Sequence, residues 1–205
     1  YDYARSIAEN DITVCYGCSG TGKSAVAVGL AVQYLNEGKV DRIIITRPAV
    51  ETSRKGLGFM PGTMREKINP YMLPILHELR RYFPKKEIER MINEEIIELA
   101  PLEFMRGRTL IDTFVLLDEA QNCEYEQMKM FVTRIGKNCK MVINGDIEQN
   151  DLGYTITALE DWVEILTPIT NIGVIKLGQA DIVRHPLISK IINRANEFEQ
   201  SHGKG

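Results

Sequence analysis

The 205-residue sequence lacks the features that mark several classes of protein. No apolar run approaches the roughly 20 residues needed to span a bilayer, and residues 1–5 lack the pattern of a secretory signal peptide. The net charge of −3 shows no overall excess of basic residues, so any surface for nucleic acid must be a local patch. We therefore expect a cytoplasmic protein with no membrane partner.

Cysteine and histidine are too few and too scattered to indicate a familiar metal site. Cys15 and Cys18 have the C-x-x-C spacing of zinc or redox sites, but no second close pair accompanies them. His77 and His185 have no neighbouring ligand that suggests a metal, so a structural role is expected for each. We expect free thiols rather than a zinc site.

The most informative stretch of the sequence fits the pattern G-x-x-x-x-G-K-[ST] at every fixed position. It consists of Gly17, Cys18, Ser19, Gly20, Thr21, Gly22, Lys23 and Ser24. Residues 11–16 before it are rich in β-branched side chains and predict a buried strand, and residues 25–35 after it predict a helix. A strand, a glycine loop and a helix in this order favour a phosphate-binding loop over a chance glycine-rich turn.

Each part of this loop has a chemical role in the prediction. Glycines allow backbone N–H groups to point inward at a polyphosphate, and the helix N-terminus adds a partial positive charge. Lys23 would reach the β- and γ-phosphates, and the hydroxyl of Ser24 would bind Mg²⁺. All the loop residues are therefore candidate nucleotide-binding residues, and Lys23 is also a candidate catalytic residue.

A second motif completes the predicted nucleotide site. Residues 113–117 form an apolar strand pattern that ends in Asp118 and Glu119. Asp118 would hold Mg²⁺ through its water shell, and Glu119 would be the general base that polarises the attacking water. Side chains alternate along a strand, but at its end two consecutive residues can address one pocket. The acidic pair is a modest signal alone and a strong one downstream of a phosphate loop.

Further polar residues follow other predicted strands, where ligands bind in open α/β sheets. Gln149 follows the strand predicted over residues 140–144, and Arg184 follows the last predicted strand. Gln149 would read the γ-phosphate or orient water; the alternative is an ordinary polar loop. Arg184 would donate to a transferred phosphoryl group.

Three arginines also follow predicted strands and are candidate ligand-binding residues. Arg47 comes directly after the strand predicted over residues 41–46. At the carboxyl end of a strand it could take part in catalysis or contact a ligand. Arg106 and Arg108 flank a glycine after the strand predicted over residues 95–100, and such a cluster suits contacts with a phosphate backbone. The alternative for these two residues is a turn in which they pair with carboxylates, and the sequence does not decide between the two.

Strand and helix patterns alternate along the chain, which predicts an α/β fold with a mostly parallel sheet flanked by helices. Residues 51–94 are too long for a plain crossover and predict a helical insertion, with breaks at Pro70 and Pro74. The charges of this region favour a solvated helical face over a dedicated nucleic-acid surface. We expect one domain over residues 1–205, with a disordered tail over residues 201–205.

Taken together, these segments resemble the PhoH family of P-loop ATPases, which is related to the first motor lobe of superfamily-one helicases. The matching segments cover nearly the whole chain and read GCSGTGKS, TRPAVE, LGFMPGTMREKINPYMLPIL, IELAPLEFMRGRTL, FVLLDEAQN, EQMKMFVTRIG, KMVINGDIEQNDL and DIVRHPL. The loop departs from the usual family pattern, G-P-A-G-T-G-K-T, at Cys18, Ser19 and Ser24. These changes are compatible with phosphate binding, because the loop would bind through its backbone N–H groups, and serine and threonine both supply a hydroxyl.

The resemblance implies a RecA-like P-loop NTPase fold and an Mg²⁺-dependent ATPase that acts with single-stranded nucleic acid, with RNA favoured. It also implies that Gln149 and Arg184 contact the γ-phosphate, and that Arg47 and the Arg106–Arg108 segment belong to nucleic-acid motifs. The preference for ATP over GTP comes from the resemblance alone. The chain carries one motor lobe, so we expect either homo-oligomers whose subunits complete each other's sites or hydrolysis that serves as a switch.

Two functions of other classes stay open at this point. A nucleotide-dependent assembly module would oligomerise on binding ATP with little hydrolysis. A small-molecule kinase would use the same phosphate loop, although no acceptor pocket or arginine-rich lid is apparent in the sequence.

Overall fold

The computed structural model describes residues 2–49, 64–147 and 158–183, together with Arg194, Phe198 and Ser201. Within these ranges the strands are β1 (Ile12–Gly17), β2 (Arg42–Arg47), β3 (Ile97–Pro101), β4 (Thr113–Leu117), β5 (Cys139–Gly145) and β6 (Ile172–Leu177). The α-helices are α1 (Asp2–Glu9), α2 (Lys23–Asn36), α3 (Met64–Leu79), α4 (Lys85–Asn93), α5 (Tyr125–Val132) and α6 (Ala158–Leu166).

The strands form one sheet in the order β3-β2-β4-β5-β1-β6, and every neighbouring pair runs parallel. The central strand β4 lies between β2 and β5, with Leu117 beside both Thr46 and Ile143. This confirms the predicted α/β class. Because parallel strands all end at the same edge of a sheet, the segments that follow β1, β2, β4 and β5 meet there.

Helices cover both faces of the sheet, which explains why its strands are apolar on both sides. The helices α1 to α4 pack on one face, around a core that includes Ile45, Phe114 and Val142. The helices α5 and α6 pack on the other face, around a core that includes Val115 and Met141. β4 is buried along its whole length, so close packing on both faces fixes the position of its carboxyl end.

The region between β2 and β3, predicted as a helical insertion over residues 51–94, contains α3 and α4. Apolar side chains of both helices, including Ile75, Leu79 and Ile88, are buried in the core of the sheet face beneath them. These helices therefore also form the crossover between two strands that pair in parallel. Residues 50–63, at the start of this region, lie outside the described part of the chain.

The predicted breaks at Pro70 and Pro74 are wrong, because α3 runs without interruption from Met64 to Leu79. A proline inside a helix removes one backbone hydrogen bond and crowds the preceding turn. Packing of the helix on the sheet compensates for that cost, since most helical stability in proteins comes from tertiary burial.

The helix α1 has no counterpart in the sequence-based prediction. It is eight residues long, which is too short for a clear helical period. Tyr3, Ser6 and Ile7 are buried, and Tyr3 and Ile7 belong to the core that α2 also covers. Burial rather than intrinsic helix propensity explains why these residues form a helix.

Part of the predicted C-terminal region lies outside the described residues. Residues 184–193 and 202–205 are among those not described. Ser201, the first residue of the predicted tail, is helical. The extent of a single domain over residues 1–205 therefore stays a prediction.

Two findings bear on the expectations drawn from composition. Cys15, Cys18, Cys123 and Cys139 form no disulfide bonds. Across the helices that the structure describes, none combines the length and apolar character needed to cross a bilayer.

Candidate active site

The glycine loop joins the end of β1 to the start of α2. Gly17 has a φ of 140°, and a Cβ at this position would lie 1.9 Å from the carbonyl oxygen of Leu177 on β6. Only glycine fits so close an approach between two strands. Gly22 has a φ of 81° and directly precedes α2, so the turn into the helix also uses a conformation that favours glycine.

The side chain of Lys23 lies inside the loop. Its Nζ donates hydrogen bonds to the carbonyl oxygens of Gly17 at 2.6 Å and of Cys18 at 2.9 Å. The hydroxyl of Thr21 donates to the same Cys18 oxygen at 3.0 Å. These contacts hold a positive charge beside the first turn of α2, where the helix dipole adds positive potential. The combination favours the binding of an anion such as a phosphate group.

Ser24 and Asp118 meet across the site, one from the glycine loop and one from the end of β4. The hydroxyl of Ser24 donates to Oδ1 of Asp118 at 2.9 Å, and Asp118 is 3% exposed. Mg²⁺ prefers oxygen ligands, and it binds proteins through one or two carboxylates while keeping several waters. The hydroxyl and the carboxylate therefore fit the predicted Mg²⁺ site.

Glu119 adopts a left-handed backbone conformation, with φ 59° and ψ 40°. This conformation is uncommon for residues other than glycine, and it turns the chain sharply where β4 ends. Asp118 and Glu119 both line one cavity of about 210 Å³, although they are consecutive. The cavity is also lined by residues of the glycine loop, including Lys23 and Ser24, and by Glu78, Gly145 and Asp146.

The side chain of Arg47 lies inside this site. Its Nη2 is 2.5 Å and its Nε 3.1 Å from Oδ2 of Asp118, and Nη2 is 3.9 Å from Oε1 of Glu119. The side chain is only 13% exposed. The structure thus brings Arg47 to the acidic pair, and its contact with nucleic acid stays a prediction.

Arg106 and Arg108 have different surroundings. Arg108 donates two hydrogen bonds to the carboxylate of Glu98, at 2.7 and 2.8 Å. These bonds raise the pKa of Arg108 above its ordinary value, and the pairing is the alternative that the sequence left open. Arg106 is exposed, and within the described part of the chain its side chain makes no hydrogen bond. The nucleic-acid role of both residues stays a prediction.

Gln149 and Arg184 lie outside the described residues, so their roles also stay predictions. The chain that leads to each of them is at the site. Asp146 lines the cavity and lies three residues before Gln149. The backbone N–H of Val183, directly before Arg184, donates to the carbonyl oxygen of Gly20 at 3.0 Å.

Sequence reasoning missed a buried polar pair on the α1 side of the sheet. The hydroxyl of Tyr3 donates to Oδ1 of Asn144 at 2.5 Å. Burial raises the pKa of Tyr3 well above its ordinary value, and the nearby Cys15 and Asp118 raise it further. No motif marks this pair, because only the packing of α1 on the sheet brings Tyr3 to the end of β5.

Sequence reasoning also gave no role to Gln121, which lies in the short 3-10 turn Ala120–Asn122 after the acidic pair. Gln121 is 3% exposed, and its side chain is hydrogen-bonded to Glu119. The segment FVLLDEAQN contains this glutamine, but a glutamine after an acidic pair has no general meaning as a residue type.

The family model and two relatives that match this chain carry the name PhoH. The family model described as "PhoH-like protein" matches residues 1–196. The chain is 46% identical to the PhoH-like protein of Bacillus subtilis over 192 residues, which cover 93% of this chain and 60% of that protein. It is 36% identical to Protein PhoH of Escherichia coli K12 over 194 residues, which cover 93% of this chain and 54% of that protein. The chain thus spans little more than half the length of these relatives.

A solved structure with a remote likeness is the Sulfolobus solfataricus SWI2/SNF2 ATPase core in complex with dsDNA. It aligns with 85% of this chain and 42% of that chain, with a TM-score of 0.46 and 13% sequence identity. With a glycine loop at the end of β1, a parallel sheet and a family match over nearly its whole length, the chain has the P-loop NTPase fold and belongs to the PhoH-like family.

Proposed function

We propose that the protein binds ATP together with Mg²⁺, hydrolyses the ATP, and couples this cycle to single-stranded nucleic acid, with RNA favoured. The observation that carries the proposal is the convergence of Lys23, Ser24, Asp118 and Glu119 around one cavity. A phosphate loop alone accounts for binding, whereas hydrolysis also needs a metal ligand and a base that acts on water. Side chains that could fill these roles lie at this edge of the sheet.

Each residue of this set has its own role in the proposal. Lys23 stabilises the negative charge that develops on the phosphoryl group. Ser24 and Asp118 would hold Mg²⁺, which when bound neutralises phosphate charge. Glu119 accepts the proton of the attacking water, and its side chain is 46% exposed, so water from solvent has access to it.

The two residues outside the described part of the chain complete the proposed site. Gln149 would contact the γ-phosphate, and Arg184 would donate to it as charge develops. The positions of Asp146 in the cavity wall and of Val183 at the carbonyl of Gly20 support both roles. The chain reaches the rim of the site shortly before each of these residues.

The proposed nucleic-acid surface lies beyond the carboxyl end of β3. Arg106 follows the 3-10 turn Leu102–Met105 there, and an exposed guanidinium is free to contact a phosphate of a nucleic-acid backbone. Arg47 and Arg108 are each paired with carboxylates, so their contact with nucleic acid would require them to exchange partners. We propose that the protein works in the cytoplasm, where cysteines without disulfide bonds are usual. We also propose that it works as a homo-oligomer.

The test of this proposal is phosphate release from ATP and from GTP, each with and without RNA or single-stranded DNA. We expect ATP to be hydrolysed, and Glu119→Gln to lower turnover by about a hundredfold or more while ATP binding is retained. Glu126→Gln, at an exposed position of α5, is the matched control and should turn over ATP at the wild-type rate.

Three other outcomes of these assays would contradict the proposed function or the role of Glu119. A phosphorylated small molecule in place of free phosphate would show a kinase. Oligomerisation on ATP with negligible phosphate release would show an assembly module. Unchanged turnover in Glu119→Gln would remove Glu119 as the base.

A further inference from the structure

Gln121 connects the two strand ends that border the site. Its Nε2 donates a hydrogen bond to Oε2 of Glu119 at 2.7 Å. Its Oε1 accepts a hydrogen bond from the backbone N–H of Asp146, just beyond β5, at 2.9 Å. One buried carboxamide thus joins the proposed base to the segment that leads to Gln149.

The hydrogen-bonding groups of Glu119 and Asp146 determine the orientation of the Gln121 side-chain amide. The backbone N–H of Asp146 can only donate, so it must face the amide oxygen, and the ionised carboxylate of Glu119 can only accept, so it must face the amide nitrogen. The reverse orientation would set N–H against N–H and oxygen against oxygen, in a place where unpaired polar groups are costly. Gln121 therefore has one satisfied orientation.

The packing around Gln121 holds the amide in that place. A Cβ at position 145 would lie 3.3 Å from Oε1 of Gln121 and 2.3 Å from Cδ2 of Leu159. Gly145 therefore leaves room for both side chains at the end of β5. Glu119, in contrast, is 46% exposed, and a half-exposed glutamate has several rotamers of similar energy unless a partner selects one.

We propose that Gln121 is a positioning residue: it holds the carboxylate of Glu119 towards the attacking water and couples that carboxylate to the end of β5. This inference rests on the proposed function, because it assumes that Glu119 is the base. Gln121 itself would not touch the reacting atoms. It acts through Glu119, and a small displacement of a base is enough to slow proton transfer.

The experiment measures ATP turnover and stability for Gln121→Ala and Gln121→Glu. Alanine removes both hydrogen bonds, whereas glutamate keeps the length and the acceptor for Asp146 but loses the donor to Glu119. We expect kcat to fall by roughly tenfold to a hundredfold in both variants, with KM within about twofold of wild type. A variant that only disturbed the fold would instead lose soluble protein and nucleotide binding together.

Gln127 offers a closely matched control on α5. Its Oε1 also accepts a backbone N–H, from Glu124 at 2.8 Å, and its Nε2 also donates to a carboxylate, of Glu103 at 3.1 Å. Gln127→Ala therefore removes the same two kinds of hydrogen bond away from the cavity, and kcat should stay at the wild-type value. Equal losses of kcat in Gln121→Ala and Gln127→Ala would overturn the inference.

Two further measurements separate positioning from a purely structural role. If Gln121 acts through Glu119, Gln121→Ala should cause no further loss of turnover in a Glu119→Gln background, because effects of residues that act as a unit are not additive. Without nucleotide, the effects of Glu119→Ala and Gln121→Ala on the free energy of unfolding should also be non-additive. If the effects on turnover and the effects on the free energy of unfolding were both additive, Gln121 and Glu119 would act independently, and the inference would be overturned.

The outcome for the wild-type protein distinguishes this inference from the proposed function. A wild-type protein that releases no phosphate under any condition refutes the proposed function, and the inference falls with it. A wild-type protein that hydrolyses ATP, with Gln121→Ala and Gln121→Glu at the same rate, refutes the inference alone.

Discussion

Arg47 and Asp118 form a buried ion pair that joins the ends of β2 and β4, with Nη2 of Arg47 2.5 Å from Oδ2 of Asp118. The other carboxylate oxygen of Asp118 accepts the hydroxyl of Ser24 at 2.9 Å. Both oxygens of this nearly inaccessible carboxylate therefore have charged or polar partners from different elements. The pair ties the segment after β2 to the centre of the proposed nucleotide site.

The first prediction concerns the stability that this pair contributes. Arg47→Ala leaves Asp118 buried without a cation, and we expect the free energy of unfolding to fall by about 3 kcal/mol. Arg47→Lys keeps a positive charge but not the geometry of the guanidinium, so the loss should be smaller. Chemical denaturation of the three proteins, without nucleotide, measures both effects.

The control for the first prediction is Arg106→Ala, because Arg106 is exposed. Its free energy of unfolding should stay within about 0.5 kcal/mol of wild type. If Arg47→Ala were as stable as Arg106→Ala, the ion pair would contribute nothing and Arg47 would be available to another ligand.

The second prediction concerns nucleic acid and separates Arg106 from Arg108. If Arg106 contacts one backbone phosphate, Arg106→Ala should weaken binding of RNA or single-stranded DNA and reduce the slope of log K against log salt by about 0.7. Fluorescence titrations at several salt concentrations measure this slope. An unchanged slope would remove Arg106 from the nucleic-acid surface.

Arg108 should behave differently, because it is already paired with Glu98. The two side chains are 28% and 31% exposed, and a pair of this kind contributes about 1 kcal/mol or less to stability. We expect Arg108→Ala to cost no more than that, and an unchanged salt slope in this variant would remove Arg108 from the proposed nucleic-acid surface. If Glu98→Gln, which frees the guanidinium, increased the affinity for nucleic acid, a latent phosphate contact at Arg108 would be shown.

The third prediction is a loss of stability at alkaline pH. Burial raises the pKa of the Cys15 thiol to about 12, whereas a thiol in an unfolded chain has a pKa of about 8.5. The folded protein therefore keeps a proton that the unfolded chain releases. The resulting stability is fully present below the unfolded pKa, and it is lost progressively as the pH rises towards the folded pKa of about 12. Burial raises the pKa of Cys139 to about 11 and acts in the same direction.

Cys15→Ala isolates this contribution. Between about pH 8 and pH 10, the free energy of unfolding should fall by about 2 kcal/mol less in Cys15→Ala than in wild type. Denaturation curves at the two pH values measure the difference, and the comparison cancels the pH-independent cost of removing the thiol from the core. Equal losses in the two proteins would mean that Cys15 is not buried as described.

The local sequence was sufficient to place the glycine loop after β1 and the acidic pair after β4, because both positions follow from the residue pattern of short, continuous segments. Gly17 to Ser24 make up a turn whose backbone needs glycine, and Asp118 follows an apolar strand. The prediction that Pro70 and Pro74 break the helix is wrong because it considered only the local sequence. Packing of α3 on the sheet outweighs the local effect of proline, and residue type alone gives no measure of that packing.

The environments of the arginines could not be predicted, because each depends on a partner that is distant in sequence. Arg47 meets Asp118 only when β2 and β4 pair in parallel. Arg108 pairs with Glu98, which lies on the preceding strand β3. A sequence shows that an arginine follows a strand, but not whether its charge faces a ligand or a carboxylate of the same chain.

The sequence by itself determined the class of fold, the position of the glycine loop and the placement of acidic residues at a strand end, since these follow from local periodicity and backbone geometry. Only the tertiary structure decided which side chains share the site: Arg47 against Asp118, and Gln121 between Glu119 and Asp146. The physical reason is that hydrogen bonds and ion pairs between strand ends depend on the order and register of the strands. In this protein the parallel order β2-β4-β5 brings those ends to one edge of the sheet.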